Sequence, residues 1–206
     1  MNGGSSAISR RRWLLASVGI GVSRLRAVER LGILWDGDDL RVNALQLHFL
    51  SGKPLERLHD GASVVFLTQL TLATDEWATI LRRTPERFVF SYDLWEEEFS
   101  VTKLGVAPRT ASHLSAAAAE AWCLDNVAIS TTGLEPNRAF WLRLELRAAE
   151  PKEEADVIGE PGINLNRLIE IFSRRPRDWY PKWTAEAGPL RLMDLKRLTG
   201  RAARSS

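Results

Sequence analysis

The residues best suited to chemistry in this chain are three histidines, three consecutive glutamates, an Asp-rich turn, one cysteine and a tryptophan set among arginines. His48, His59 and His113 lack the HxxxH or HxH spacing that puts two imidazoles on one metal ion, so no metal site is expected from them. Asp36-Gly37-Asp38-Asp39 has the composition of a calcium loop. The twelfth position, where such a loop needs a bidentate acid, holds Leu47, and a plain turn is expected. Glu96-Glu97-Glu98 are consecutive, so they diverge into water at a hairpin tip, which suits a solvated turn better than acid–base catalysis. Cys123, in Ala-Glu-Ala-Trp-Cys-Leu, reads as a small buried apolar residue, and a single cysteine excludes an intrachain disulfide.

No Gly-x-Ser-x-Gly elbow occurs, and the scattered glycines write neither a phosphate loop nor a dinucleotide fingerprint. No catalytic, cofactor-binding or metal-binding residue is therefore assigned, and no cofactor is expected. Binding is expected in preference to catalysis. The alternative is a hydrolase with a site assembled by the fold from His48, His113, Asp93 or Glu97, since convergent sites need no local signature.

Two groups of residues suit recognition. Trp141 shares the polar face of a strand with Arg143, Glu145 and Arg147, and an aromatic beside arginine is typical of interface anchors; Trp141, Arg143 and Arg147 are candidate contacts to a protein partner. Near the C-terminus, Arg174, Arg175, Arg177, Trp179, Lys182 and Trp183 have the composition of a segment lying on an anionic membrane surface, which makes peripheral membrane association a further alternative.

The elements that must position these residues are mainly strands. Leu45, Leu47 and Phe49 alternate with polar residues over 40–49, and Val64, Phe66, Thr68, Leu70 and Leu72 share one face of a long strand over 63–73. Val65 and Leu67 also make the other face apolar, so this strand is expected at the centre, covered on both sides. Residues 55–59 form about one helical turn. Residues 87–103 read as a hairpin, 113–124 as a helix capped by Ser112 or Ser115, and 127–131 as a short strand. The clearest strand is 139–148, with Phe140, Leu142, Leu144 and Leu146 on one face. A polar linker over 150–162 precedes an amphipathic helix over 164–174. This order predicts an all-β to α+β fold: an antiparallel, β-sandwich-like domain with one or two helices in its crossings and a C-terminal helix.

Charge is unevenly divided. Residues 1–28 carry five arginines and no acid, residues 29–171 sum to −9, and residues 172–206 sum to +6. An acidic body argues against nucleic acid as a partner. At the N-terminus, Ser9-Arg10-Arg11-Arg12-Trp13-Leu14-Leu15 precedes a short, weakly apolar run to Val22, the layout of a secretory signal. It resembles a twin-arginine signal, with Trp13 at the aromatic position; general secretion remains the other route. The run is shorter than the roughly 20 apolar residues of a spanning helix. Residues 1–28 are thus expected as a signal or anchor segment, 29–150 as the strand-rich domain, and 151–206 as linker, helix and basic aromatic tail.

Four features in order resemble an uncharacterised bacterial exported family, domain-of-unknown-function family 4390. They are the strand Gly61-Ala62-Ser63-Val64-Val65-Phe66, the hairpin from Phe90-Ser91-Tyr92-Asp93-Leu94-Trp95 to Phe99-Ser100-Val101, the Ala-rich helix ending Ala121-Trp122, and the turn and strand from Leu134 to Leu142. The resemblance spans residues 40–150 and implies export, periplasmic or envelope-associated, without a known chemistry. The expected function is an exported envelope protein acting as a non-catalytic binding or accessory module for a protein partner in the envelope.

Overall fold

The computed structural model describes residues 29–43, 47–149 and 182–195. The signal segment 1–28, the helix expected over 164–174, and Arg174, Arg175, Arg177 and Trp179 lie outside the described residues. The strands are β1 (Glu29–Arg30), β2 (Gly32–Trp35), β3 (Asp39–Asn43), β4 (Val64–Thr74), β5 (Thr79–Asp93), β6 (Glu98–Leu104), β7 (Arg109–Leu114), β8 (Ala128–Ser130), β9 (Phe140–Ala148) and β10 (Lys182–Leu190). Helix α1 (Gly52–His59) precedes β4, and α2 (Ala116–Asp125) joins β7 to β8. Among the described residues no helix is long and apolar enough to cross a membrane.

The strands form two sheets, one of order β1-β10-β9-β4-β5-β6-β7 and one of order β2-β3-β8. Every pairing is antiparallel except β1 with β10. This is the β-sandwich-like α+β fold the sequence predicts. Each sheet offers one apolar face to a shared core: Leu40, Val42 and Ile129 from the small sheet meet Phe66, Leu70, Phe88, Phe90, Leu142 and Leu144 from the large one. Phe49, Phe66 and Phe90 pack edge-to-face at its centre, with ring centroids 4.9–5.8 Å apart. All of β4 is buried, in keeping with a central strand covered on both sides. Its second face carries a smaller cluster of Val65, Leu67 and Ala149 against Val89.

Helix α2 begins at Ser115, whose hydroxyl accepts from the Ala118 amide, so of the two expected caps the later one is used. His113 and Leu114 belong to β7, a strand the sequence conceals. Its residues are mostly exposed on both faces, so no apolar period marks it. Of the expected strand over 40–49, the residues up to Asn43 belong to β3. Segment 47–50 is instead pinned beneath α2. The buried Glu120 carboxylate accepts from the Phe49 and Leu50 amides at 2.6 Å each and lies 3.0 Å from His48 Nδ1. Strand β5 starts eight residues before the expected hairpin. Pro85 is tolerated there because β6 reaches only as far as Arg87, leaving that side of β5 without a ladder among the described residues.

The domain boundary expected at residue 150 also moves. Residues 182–190 are not a tail: β10 lies within the large sheet, paired with β9 from Lys182↔Arg147 to Leu190↔Phe140 and with β1 on its other side. The side chains explain the placement. Trp183 and Ala187 pack against the core and Ala185 is buried in it, while Lys182 and Glu186 meet partners on the opposite face.

Candidate interaction face

Because side chains alternate along a strand, the face of the large sheet turned away from the core is built from alternate residues of β9, β10 and β4. Trp141, Arg143, Glu145 and Arg147 come from β9, Lys182, Thr184 and Glu186 from β10, and Gln69, Thr71 and Ala73 from β4. The register puts Glu186 opposite Arg143, an opposite-charge pair, Thr184 opposite Glu145, and Lys182 opposite Arg147. Arg143 Nε donates to Glu186 Oε1 at 2.5 Å. Lys182 Nζ lies 2.5 Å from Glu145 Oε1, and the other oxygen of that carboxylate accepts from Gln69 Nε2 at 3.2 Å. Glu145 is therefore held from both neighbouring strands.

Arg143 is also covered by an aromatic ring. The indole of Trp77 lies 4.2 Å from its guanidinium carbon, a stacking distance for a cation on a π face. The turn between β4 and β5 puts Trp77 there, and its backbone is unusual: Asp75, Glu76 and Trp77 all take positive φ, at 54°, 52° and 75°. Non-glycine residues adopt this region at a cost, and it persists only where surroundings enforce it. The enforcing contacts are visible. Asp75 accepts from Arg138 Nη2 at 3.1 Å and from Thr74 Oγ1 at 3.2 Å, and its carbonyl accepts from the Ala78 amide at 3.0 Å. A hydrogen bond from the Thr79 hydroxyl, above all, holds the Asp75 carboxyl below the usual aspartate range.

Trp141 is fixed by a different device. Its indole lies against Gly188, where an added Cβ would come within 2.7 Å of Trp141 Cγ and 3.1 Å of the Phe140 carbonyl oxygen. Gly188 also has φ +146°, a conformation open to glycine. Trp141 is half-buried as a result, with one side against the backbone of β10.

Of the expected partner contacts, Trp141 and Arg143 therefore stand on one face, two residues apart on β9 and each supported. Arg147 shares the face but is buried, and one of its guanidinium nitrogens donates to the Ala148 carbonyl. Trp77, Glu186 and Gln69 complete the face and were not singled out from sequence. Strand alternation around Arg143 signals Glu186 only once β10 is known to be a strand. Lys182 and Trp183, expected together on a membrane surface, project to opposite faces: Lys182 joins Glu145, while Trp183 packs toward Phe49, 6.2 Å between centroids.

The other chemical residues separate. His48 is tied to Glu120, His59 packs at a tilt against Tyr92 with ring centroids 4.6 Å apart, and His113 Nδ1 lies 2.6 Å from Glu98 Oε2. The set expected of a hydrolase is split, with His48 at α2 and Asp93, Glu97 and His113 around the far end of the β5–β6 hairpin. No group of three or more His, Cys, Asp or Glu suited to a metal ion occurs among the described residues. Cys123 is wholly buried, and burial pushes its thiol pKa up, which suppresses the reactive thiolate. Asp36 makes a turn: its carboxylate accepts from the Asp39 and Asp38 amides and from Arg41, contacts that, with the Asp39 amide foremost, lower its pKa. No family profile, curated protein or solved structure matches this chain.

Proposed function

We propose that this chain is an exported envelope protein whose domain is a non-catalytic binding module, engaging a protein partner through the face formed by Trp77, Arg143 and Trp141. The observation that carries the reading is the turn at Asp75–Trp77. Three successive left-handed residues are costly, and the result of that cost is an indole laid on Arg143 at 4.2 Å. Strain that serves only to close a hairpin is readily relieved by a glycine or asparagine. Here it fixes an aromatic–guanidinium pair beside a second, separately fixed tryptophan. Tryptophan and arginine held rigid in this way lose little conformational entropy on binding, which is the property of interface anchors.

Export is supported by the basic, weakly apolar segment 9–22. Residues 1–40 fused to a reporter active only outside the cytoplasm should direct its export, and no activity would refute it. Replacing Arg10 and Arg11 with Lys separates the routes, because only twin-arginine export requires the pair. For binding, crosslinking in the native envelope should recover partners of the intact protein that are lost from the Trp77→Ala/Arg143→Ala variant. An unchanged partner set from a folded variant would overturn the assignment of the face.

A further inference from the structure

The far end of β5 carries a feature of a different kind. Asp93 and Glu98 form the last pair of the β5–β6 hairpin, and Leu94, Trp95, Glu96 and Glu97 make its tip. Trp95 is 95% exposed and Leu94 55% exposed, so a large indole and an isobutyl group stand in water together. The backbone beneath them is fixed. Asp93 Oδ1 accepts from the Trp95 amide at 2.8 Å and the Glu96 amide at 3.1 Å, and Glu97 takes a left-handed φ of 55°. The tip is also braced from behind, because Glu98 is tied to His113 on β7.

Hydration of exposed apolar surface is unfavourable by about 25 cal/mol per Å², and a tryptophan removes on the order of 150–250 Å² when covered. The charges around this one have a single dominant sign. Glu96 and Glu97, on the tip itself, are exposed, and no Lys or Arg occurs between Arg87 and Lys103. An anionic lipid surface would be repelled by such a tip, whereas a protein pocket edged with cations would be attracted and oriented by it. We infer that the Leu94–Trp95 tip is a docking element that inserts into an apolar pocket bordered by lysine or arginine on a partner protein. It lies at the opposite end of β5 from the turn that bears Trp77, so it stands or falls independently of the face proposed above.

The test uses the full chain in its native cell, with a photo-reactive phenylalanine analogue at position 94, which leaves Trp95 in place, or at Val106, a still more open apolar position on the β6–β7 turn. Discrete protein adducts are expected from position 94 and not from 106. The captured protein, once purified, should bind the chain at least about tenfold more weakly after Trp95→Ser, and likewise after Glu96→Lys with Glu97→Lys, a change of about 1.4 kcal/mol each. Equal adducts from both positions, no adduct, an adduct with a second copy of this chain, or binding indifferent to the charge reversal would each overturn the inference. So would a blue shift of tryptophan emission with neutral phospholipid vesicles that Trp95→Ser abolishes, because the occupant would then be lipid.

Discussion

Strand β9 presents two faces that are ordered for different reasons. Toward the core, Phe140, Leu142, Leu144 and Leu146 are buried among other apolar side chains, where any well-fitting hydrocarbon would serve. On the opposite face, Trp141, Arg143 and Glu145 are held by individual partners: a glycine, a carboxylate with an indole, and a lysine with an amide. The first face is where stability resides, since it is apolar area removed from water. On the second, the Arg143–Glu186 pair is about a third exposed and its net contribution is small, while the Lys182–Glu145 pair lies deeper. A residue held in place with little return in stability is free to be kept for recognition, and substitutions on the two faces should separate those roles.

The largest effect is expected at Phe66, which faces the core from β4 with its ring 5.0 Å from Phe49 and 4.9 Å from Phe90. Phe66→Ala should cost about 3–5 kcal/mol, read as a lower urea midpoint at unchanged slope. A loss below about 1 kcal/mol would mean that this face is not tightly packed and the contrast with the other is false. Next comes Gly188→Ala, the point at which the outer face behaves like a core. Overlap with Trp141 and the positive φ should together cost about 1–3 kcal/mol and change Trp141 emission. Arg143→Ala should alter stability by less than about 1 kcal/mol while removing partner binding, because both the ion pair and the stacked ring are partly open to water. Stability falling as far as in Phe66→Ala would make Arg143 structural.

The smallest effect concerns Asp93, whose carboxyl is held below the usual aspartate range first by the Trp95 amide and then by that of Glu96. Its folded pKa lies below its unfolded one. The stabilisation is therefore present above the unfolded value and is lost as pH falls through the folded value. The melting curves of the native protein and Asp93→Asn should differ slightly near neutrality and converge in acid. A difference that persists in acid would show that the tip is not held by the ionised carboxylate.

Legibility in the sequence follows the same division. Strands β4 and β9 are plain because large apolar residues recur at every second position, and Trp141 and Arg143 share a face by that rule alone. Strand β10 obeys the rule too, but its inward residues after Trp183 are Ala185 and Ala187, and Gly188-Pro189 reads as a break. Strand β7 buries too little on either face to leave a pattern. Trp77 was hidden for another reason. Thr74-Asp75-Glu76-Trp77 contains none of the glycine or asparagine that announces left-handed backbone, so nothing local indicates where the indole goes. Trp95 falls within the hairpin expected over 87–103, and only the position of the Asp93↔Glu98 pair puts it beyond the ladder.

The place of β10 between β1 and β9 bears on how the chain is made. Strands β4 to β7 follow one another as hairpins and can pair as they leave the ribosome. Strand β9 can then join β4, but its other edge stays bare until residues 182–190 emerge, and until then β1 has no sheet to join. An unpaired strand edge on a nascent chain invites pairing with other chains. A chain interrupted anywhere before Lys182 therefore loses more than its terminus: it loses the strand that links β1 to the rest of the sheet.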